Sequence, residues 1–368
     1  MTKVVPLTRL GLRSFKAFER LDVRLKQFTL LVGTNSSGKS SVIHAIAAAH
    51  QSRESGFDGL LLNGPLVELG AYEDILFDQL ASSSREAPRL ELRFNSRRFR
   101  FASAATDSDV VRLESSSPRL DLPWHRLAYV RADRLSPALL HLRSSQSAID
   151  HESVGARGEF AVHQLLRHLD DKVAENLVAD RARPATVDAQ AEAWIERISP
   201  GTRLAVEDIR QAGVASLRFG RQPGAGYIGG QTHRATNVGF GLAYTLPILV
   251  ACLLARTGDI LVVENPEAHL HPKAQTALAE LCLAAAAGGV QVIVETHSDH
   301  VLNAVRLAVA RSHLQPTQVA VLFFHRTQGE ASPTVSPMEI DSSGQFGHWP
   351  EDFFDEYLRA LLELSDHD

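Results

Sequence analysis

Apolar positions at the N-terminal end come in short runs, Leu7 to Leu12, Leu21 to Leu25 and the continuous Phe28 to Val32. Runs of that length between polar breaks predict three strands, the third buried on both faces. Ser41 to Ala49 is rich in strong helix formers, so a helix is expected just after the third strand. From Leu90 to Leu113 short alternating segments return, interrupted at Ala105 to Asp109, and predict an antiparallel sheet beside the main one. The Ser-rich stretch Glu114 to Pro118 reads as a loop.

The period then changes. Phe160, Leu165, Leu166, Leu169, Ala193, Trp194 and Ile198 fall at helical spacings, which predicts a helical lobe over the text from Glu159 to Ile198. Gly220 to Gly230 reads as a glycine-rich turn or mobile loop, and Gly241 to Ala255 as a helix. Ile260 to Val263 and Val290 to Val294 are short buried strands, with a further strand near Val319 to Phe324. Strands alternating with helices predict an α/β fold with a mainly parallel core sheet, a flanking antiparallel β-subdomain and an inserted helical lobe. The expected division is 1–150 and 231–368 as two halves of one nucleotide-binding domain, with 151–230 as lobe and glycine-rich connection. Neither an internal repeat nor a heptad run long enough for a coiled-coil arm is evident.

Composition narrows this picture without redirecting it. The 368 residues are 44% hydrophobic and can bury a substantial core. Cys252 and Cys282 lack a zinc or redox spacing and read as buried reduced thiols. The N-terminus has no signal-peptide pattern and no apolar run reaches membrane-spanning length, so a cytoplasmic chain with no membrane partner is expected. A net charge of -5 argues against a global nucleic-acid footprint. The densest basic cluster, Arg93, Arg97, Arg98 and Arg100 around Phe94 and Phe99, alternates like a half-exposed strand.

The chemistry begins at Gly33-Thr34-Asn35-Ser36-Ser37-Gly38-Lys39-Ser40, followed by Ser41. In the pattern G-x-x-x-x-G-K-[ST], glycines let successive backbone N–H groups converge on phosphate oxygens at a helix N-terminus. Lys39 is placed to reach the β- and γ-phosphates of ATP, and the Ser40 hydroxyl to hold Mg²⁺. A partner strand with an acidic end is then required, and Ile260 to Val263 followed by Glu264 supplies one, so Glu264 is the expected metal partner.

Asn265-Pro266-Glu267-Ala268-His269-Leu270-His271-Pro272 follows at once. Orienting or deprotonating an attacking water needs a carboxylate or an amide, which leaves Asn265 and Glu267 as candidates. Val290 to Val294 leads into Glu295-Thr296-His297-Ser298-Asp299-His300, where His297 is placed to meet γ-phosphate or water. His269, His271 and His300 read as caps or packing residues.

In this order the motifs resemble the ABC-type P-loop ATPases of the SMC, RecF and OLD kind, including Phe15-Lys16-Ala17-Phe18 ahead of the loop. They are similar above all to a compact bacterial branch of OLD-like ATPases without a nuclease domain. That branch shares Asn237-Val238-Gly239-Phe240-Gly241, the run Tyr129 to Arg134, Val154 to Glu159, Ile340 to Gly344 and Trp349 to Asp355. The resemblance implies that Asn237, Gly239 and Gly241 form a signature loop touching ATP bound by the opposite subunit, in a head-to-tail homodimer. His297 becomes the switch histidine. Two departures stand out: Asn265 occupies the usual glutamate position, and no clean Q-loop glutamine follows the first helix, Gln51 lying too near it and Glu68 being a weak substitute.

An ATP-hydrolysing, ATP-gated dimeric switch is therefore expected, with slow turnover. The residues after His297 show no acidic cluster of a metal nuclease, so a separately encoded effector, a nuclease for instance, is the expected partner. Resemblance points to prokaryotic defence against phage or plasmids. The alternative is a nucleic-acid-binding repair or maintenance ATPase, RecF-like, whose turnover responds to DNA or RNA with steep salt dependence.

Overall fold

The computed structural model describes residues 5–77, 89–102, 104–114, 120–136, 138, 140–142, 153–221, 232–234, 240–327, 329–350, 353–354 and 363. Strands β1 (Arg9–Phe15) and β2 (Phe18–Arg24) form an antiparallel hairpin turned through Lys16 and Ala17. β3 (Phe28–Gly33) then runs buried into the glycine loop, and α1 (Lys39–Glu54) leaves it. The helix begins two residues before Ser41. Gly38, at φ +89°, feeds the chain into it so that the first turn faces the loop.

A short pair, β4 (Gly59–Leu61) with β7 (Val110–Arg112), lies beside the single helical turn α2 (Tyr72–Ile75). β5 (Glu91–Phe94) and β6 (Arg97–Arg100) extend the first hairpin into a sheet ordered β2-β1-β5-β6. Its arginines are paired across solvent: Arg93 with Asp22, Arg97 with Asp121 at 2.8 Å, Arg100 with Glu91 at 3.1 Å. Arg97, Arg98 and Arg100 thus lie on a solvated strand face, whereas Arg93 is largely covered.

Among the described residues the core sheet has six strands in the order β16-β15-β3-β14-β13-β8. These are β8 (Leu127–Val130), β13 (Ile260–Glu264), β14 (Gln291–Glu295), β15 (Val319–His325) and β16 (Thr334–Met338) around β3, all parallel except β16. Because side chains alternate along a strand, each strand feeds two cores. Leu31, Val262, Ile293 and Phe324 pack with α1 and the β1 sheet. Leu30, Val263, Val294 and Phe323 pack on the other face, against α5 (Phe240–Leu254), α6 (Pro272–Ala287) and α7 (Asp299–Ala310). Cys252 on α5 and Cys282 on α6 meet there as free, buried thiols, and their mutual hydrogen bond and burial push the Cys252 thiol up.

The segment after residue 153 is helical through α3 (Ala161–Arg167) and α4 (Val187–Ile198), as its periodicity predicts. Beyond that it turns to β-structure: β10 (Thr202–Ile209) and β11 (Val214–Arg221) form a hairpin, joined by β9 (Leu140–Leu142) and β12 (Thr232–Arg234). Leu204 and Val206 alternate with exposed Arg203, Ala205 and Glu207, a period of two too short and too diluted by alanine to stand out. Trp194, Ala215, Leu217 and Phe219 share the core of α5 and α6, so this segment is fused to the sheet's second face. Among the described residues no helix is long and apolar enough to cross a membrane.

Candidate nucleotide-binding site

The glycine loop sits at the carboxyl end of β3. Gly33 has φ +139°, and a Cβ there would lie 1.9 Å from the carbonyl oxygen of Phe324 on β15. At Gly38 a Cβ would lie 2.7 Å from the Phe18 ring, so both glycines are required by close approach as well as by backbone conformation. Ser37 Oγ donates to the Thr34 carbonyl at 2.7 Å and closes the loop on itself. Ser37 and Ser41 are buried, whereas Thr34, Asn35 and Ser36 face outward.

Lys39 folds back over this loop. Its Nζ donates to the carbonyls of Gly33 at 3.1 Å and Thr34 at 2.7 Å, and stands 4.0 Å from Glu295. Burial lowers its pKa, opposed by the charges of Glu295 and Glu267. A cavity of about 350 Å³ opens in front, bordered by Lys16, the 35–41 loop, His44, Glu295 and His297. A buried ammonium, an exposed loop and a helix N-terminus border one cavity, the features that anion binding requires.

The carboxylate in contact with Ser40 is Glu295, which sequence reasoning passed over as part of the histidine motif. Ser40 Oγ lies 3.3 and 3.2 Å from its two oxygens. Burial and the neighbouring Glu264 raise the Glu295 carboxyl to about 7, against the pull of Lys39. Glu264, where the sequence alone places the metal partner, is held elsewhere: Tyr129 Oη donates to its Oε1 at 2.7 Å and the Ala132 amide to its Oε2 at 2.9 Å. A hydroxyl and a carboxylate facing one cavity are hard oxygen donors that fit Mg²⁺.

Asn265 follows in a left-handed conformation, φ +43°, with its amide donating to the Glu295 carbonyl at 2.8 Å. Glu267 accepts from Thr296 Oγ1 and from the His297 amide, each at 2.8 Å, and so ties the 296–297 turn to the loop after β13. The His297 ring borders the cavity, and burial with the nearby Lys39 lowers its pKa. His269 stacks edge-on against Tyr244, and His271 caps α6. No group of three or more His, Cys, Asp or Glu is arranged to hold a metal ion among the described residues.

Of the expected signature loop, Asn237 and Gly239 lie outside the described residues. Gly241 packs the start of α5 against the loop after β13, since a Cβ there would meet the His269 carbonyl oxygen at 2.6 Å. Gln51 serves structure: its buried amide bonds the backbone of Leu61, Leu66 and Val67. Arg134 is a second residue whose role the sequence did not reveal. It is 3% exposed, and its Nη2 donates to the carbonyls of Glu264 and Asn265. Burial lowers its pKa to about 10. The only linear signal is the run Tyr129 to Arg134, which contains the three residues that grip Glu264, Tyr129, Ala132 and Arg134.

Residues 28–303 match the family described as "AAA domain, putative AbiEii toxin, Type IV TA system". The chain belongs to that family. Residues 314–364 match a second one, described as "Protein of unknown function (DUF3696)". Comparison with curated proteins finds no match. Among solved structures, an SMC head bound to the C-winged helix domain of ScpA aligns over 91% of this chain and 98% of its own, at 15% identity and a TM-score of 0.51. A second, an SMC head with an extended coiled coil bound to the C-terminal domain of ScpA, derived from Pyrococcus furiosus, covers 97% and 99% at 15% identity and TM-score 0.49. The SMC head domain from Thermotoga maritima covers 91% and 100% at 16% identity and TM-score 0.45. The first of these likenesses shows the fold, that of an SMC head.

Proposed function

We propose that the chain binds Mg²⁺ and ATP in the cavity over β3 and α1, hydrolyses ATP slowly, and acts as a dimeric switch on a separately encoded effector. The observation that carries the nucleotide reading is Lys39, whose ammonium is folded onto the carbonyls of Gly33 and Thr34 at the mouth of a loop that only glycines can form. Phosphate oxygens would take the place of those carbonyls, with loop amides from 34–41 and the α1 N-terminus adding donors. The Ser40 hydroxyl would help hold the cation, which would supply charge neutralisation at the phosphates.

The chain's own residues then suggest a slow reaction. His297, which burial and Lys39 bias toward the neutral ring, borders the cavity where it would meet the γ-phosphate, and Glu267 holds its backbone. The Asn265 amide can orient a water but cannot take its proton. Gly241 at the head of α5, with Asn237 and Gly239 before it, would reach the ATP of a second copy. Residues 1–150 and 231–368 supply the two halves of the ATPase, and 151–230 the part through which closure reaches a partner.

The toxin and toxin–antitoxin wording attached to the family supports a role in prokaryotic defence, and the ScpA-bound SMC head supports a protein partner for a head of this fold. The test is ATP binding and hydrolysis by the purified chain alone, with DNA or RNA, and with the product of the neighbouring gene. Lys39→Ala should lose nucleotide affinity by at least ~tenfold, about 1.4 kcal/mol, and unchanged binding overturns the assignment. Stimulation by nucleic acid without a protein partner, falling steeply with salt, replaces the switch with the repair-ATPase reading.

A further inference from the structure

The two acidic strand ends of this site are paired residue to residue, Glu264 on β13 opposite Glu295 on β14, yet they make different contacts. Strand order explains the difference. β14 lies directly beside β3, whereas β13 is one strand farther away. With neighbouring strands about 4.8 Å apart, Glu295 leaves the sheet one spacing from the phosphate loop and Glu264 two.

The contacts follow that order. Both Glu295 oxygens lie within 3.3 Å of Ser40 Oγ, and Lys39 Nζ is 4.0 Å away, so its partners are the two side chains that handle phosphate and metal. Both Glu264 oxygens are occupied by Tyr129 Oη and the Ala132 amide, and its own carbonyl is gripped by Arg134. A carboxylate already accepting two good hydrogen bonds gains little by turning toward a cation; one that among the described residues meets a rotatable hydroxyl, with an ammonium 4.0 Å away, can exchange the hydroxyl contact for it.

We propose that Glu295, rather than Glu264, supplies the protein's carboxylate to the divalent cation that accompanies ATP. Glu264 is then a positioning residue: it ties the end of β13 to the 129–134 run and thereby places Asn265 and Glu267. The proposal rests on the nucleotide reading above, and its test separates the two.

A fluorescent ATP analogue is titrated with the full chain, first with chelator and then with Mg²⁺, for wild type, Ser40→Ala, Glu295→Gln and Glu264→Gln. Binding of Mn²⁺ with the analogue, read from the electron paramagnetic resonance spectrum, reports the metal directly. Glu295→Gln is expected to keep metal-free affinity within about twofold while the Mg²⁺ enhancement drops by roughly tenfold or more, as in Ser40→Ala and as loss of a metal-supporting carboxylate does elsewhere. Glu264→Gln keeps the enhancement.

The reverse pattern, or full enhancement and an unaltered Mn²⁺ spectrum in Glu295→Gln, overturns the proposal. If Glu295→Gln does not fold by circular dichroism, Glu295→Asp takes its place. Its carboxylate is withdrawn by one methylene, so the same loss of enhancement supports the proposal and full enhancement overturns it. A wild-type chain that binds no analogue with or without metal refutes the nucleotide reading itself.

Discussion

Tyr129 Oη donates to Glu264 Oε1 at 2.7 Å across neighbouring parallel strands, and Tyr129 is 3% exposed. Burial and the adjoining carboxylate both raise the pKa of the phenol, so it stays a donor at any working pH. With the Ala132 amide on the other oxygen, this bond fixes which way the end of β13 faces.

Tyr129→Phe tests that tie. Removing a hydrogen bond to a charged group is expected to cost about 1.5–3 kcal/mol. The urea midpoint should fall accordingly while metal-free ATP affinity stays near wild type. A variant as stable as wild type shows that the Ala132 amide and Arg134 hold Glu264 without the phenol.

Gly33→Ala places a methyl where the Phe324 carbonyl stands 1.9 Å away, at φ +139°. The loop or β15 has to move, so nucleotide binding should drop by at least tenfold, about 1.4 kcal/mol, and the melting temperature should drop with it. Unchanged binding isotherms contradict the loop geometry.

His44 carries a pH dependence. Its ring accepts from Lys16 Nζ at 3.1 Å, and burial, then Lys16 and Arg131, press its pKa from 6.5 to about 3. Above pH 6.5 the ring is neutral in folded and unfolded chains alike. As pH falls from 6.5 towards 3 only the unfolded chain takes up the proton, so stability declines by up to about 1.4 kcal/mol per pH unit from this one group. His44→Gln, which keeps an acceptor for Lys16, should flatten the denaturant midpoint over that window. An identical acid slope in the variant excludes His44 as its source.

Asn265→Glu restores a proton acceptor beside Glu264. If the missing base limits turnover, single-turnover hydrolysis should accelerate by about 10²-fold, the scale of general-base catalysis. No acceleration points to Glu267, and Glu267→Gln should then slow the same step.

Much of the fold was legible because its signals are local. The phosphate loop is one contiguous stretch whose glycines, lysine and serine state their own conformation and chemistry. The strands from Phe28, Ile260 and Gln291 carry the apolar runs Leu30 to Val32, Ile260 to Val263 and Val292 to Val294, which burial on both faces demands. The hairpin of β10 and β11 was not legible, because its alternation is short and its burial comes from α4 and from its own partner strand.

The site divides the same way. From the sequence alone came an anion loop, a strand ending in Glu264 and a strand ending near His297, each determined by residues next to one another in the chain. Only the tertiary structure decided which carboxylate touches Ser40. That depends on β14 lying between β3 and β13, a pairing of backbone ladders that no local pattern encodes. The same long-range packing buries Arg134 beneath the Glu264 and Asn265 carbonyls, joining residues 130 and 131 positions apart through contacts that exist only once the sheet has formed.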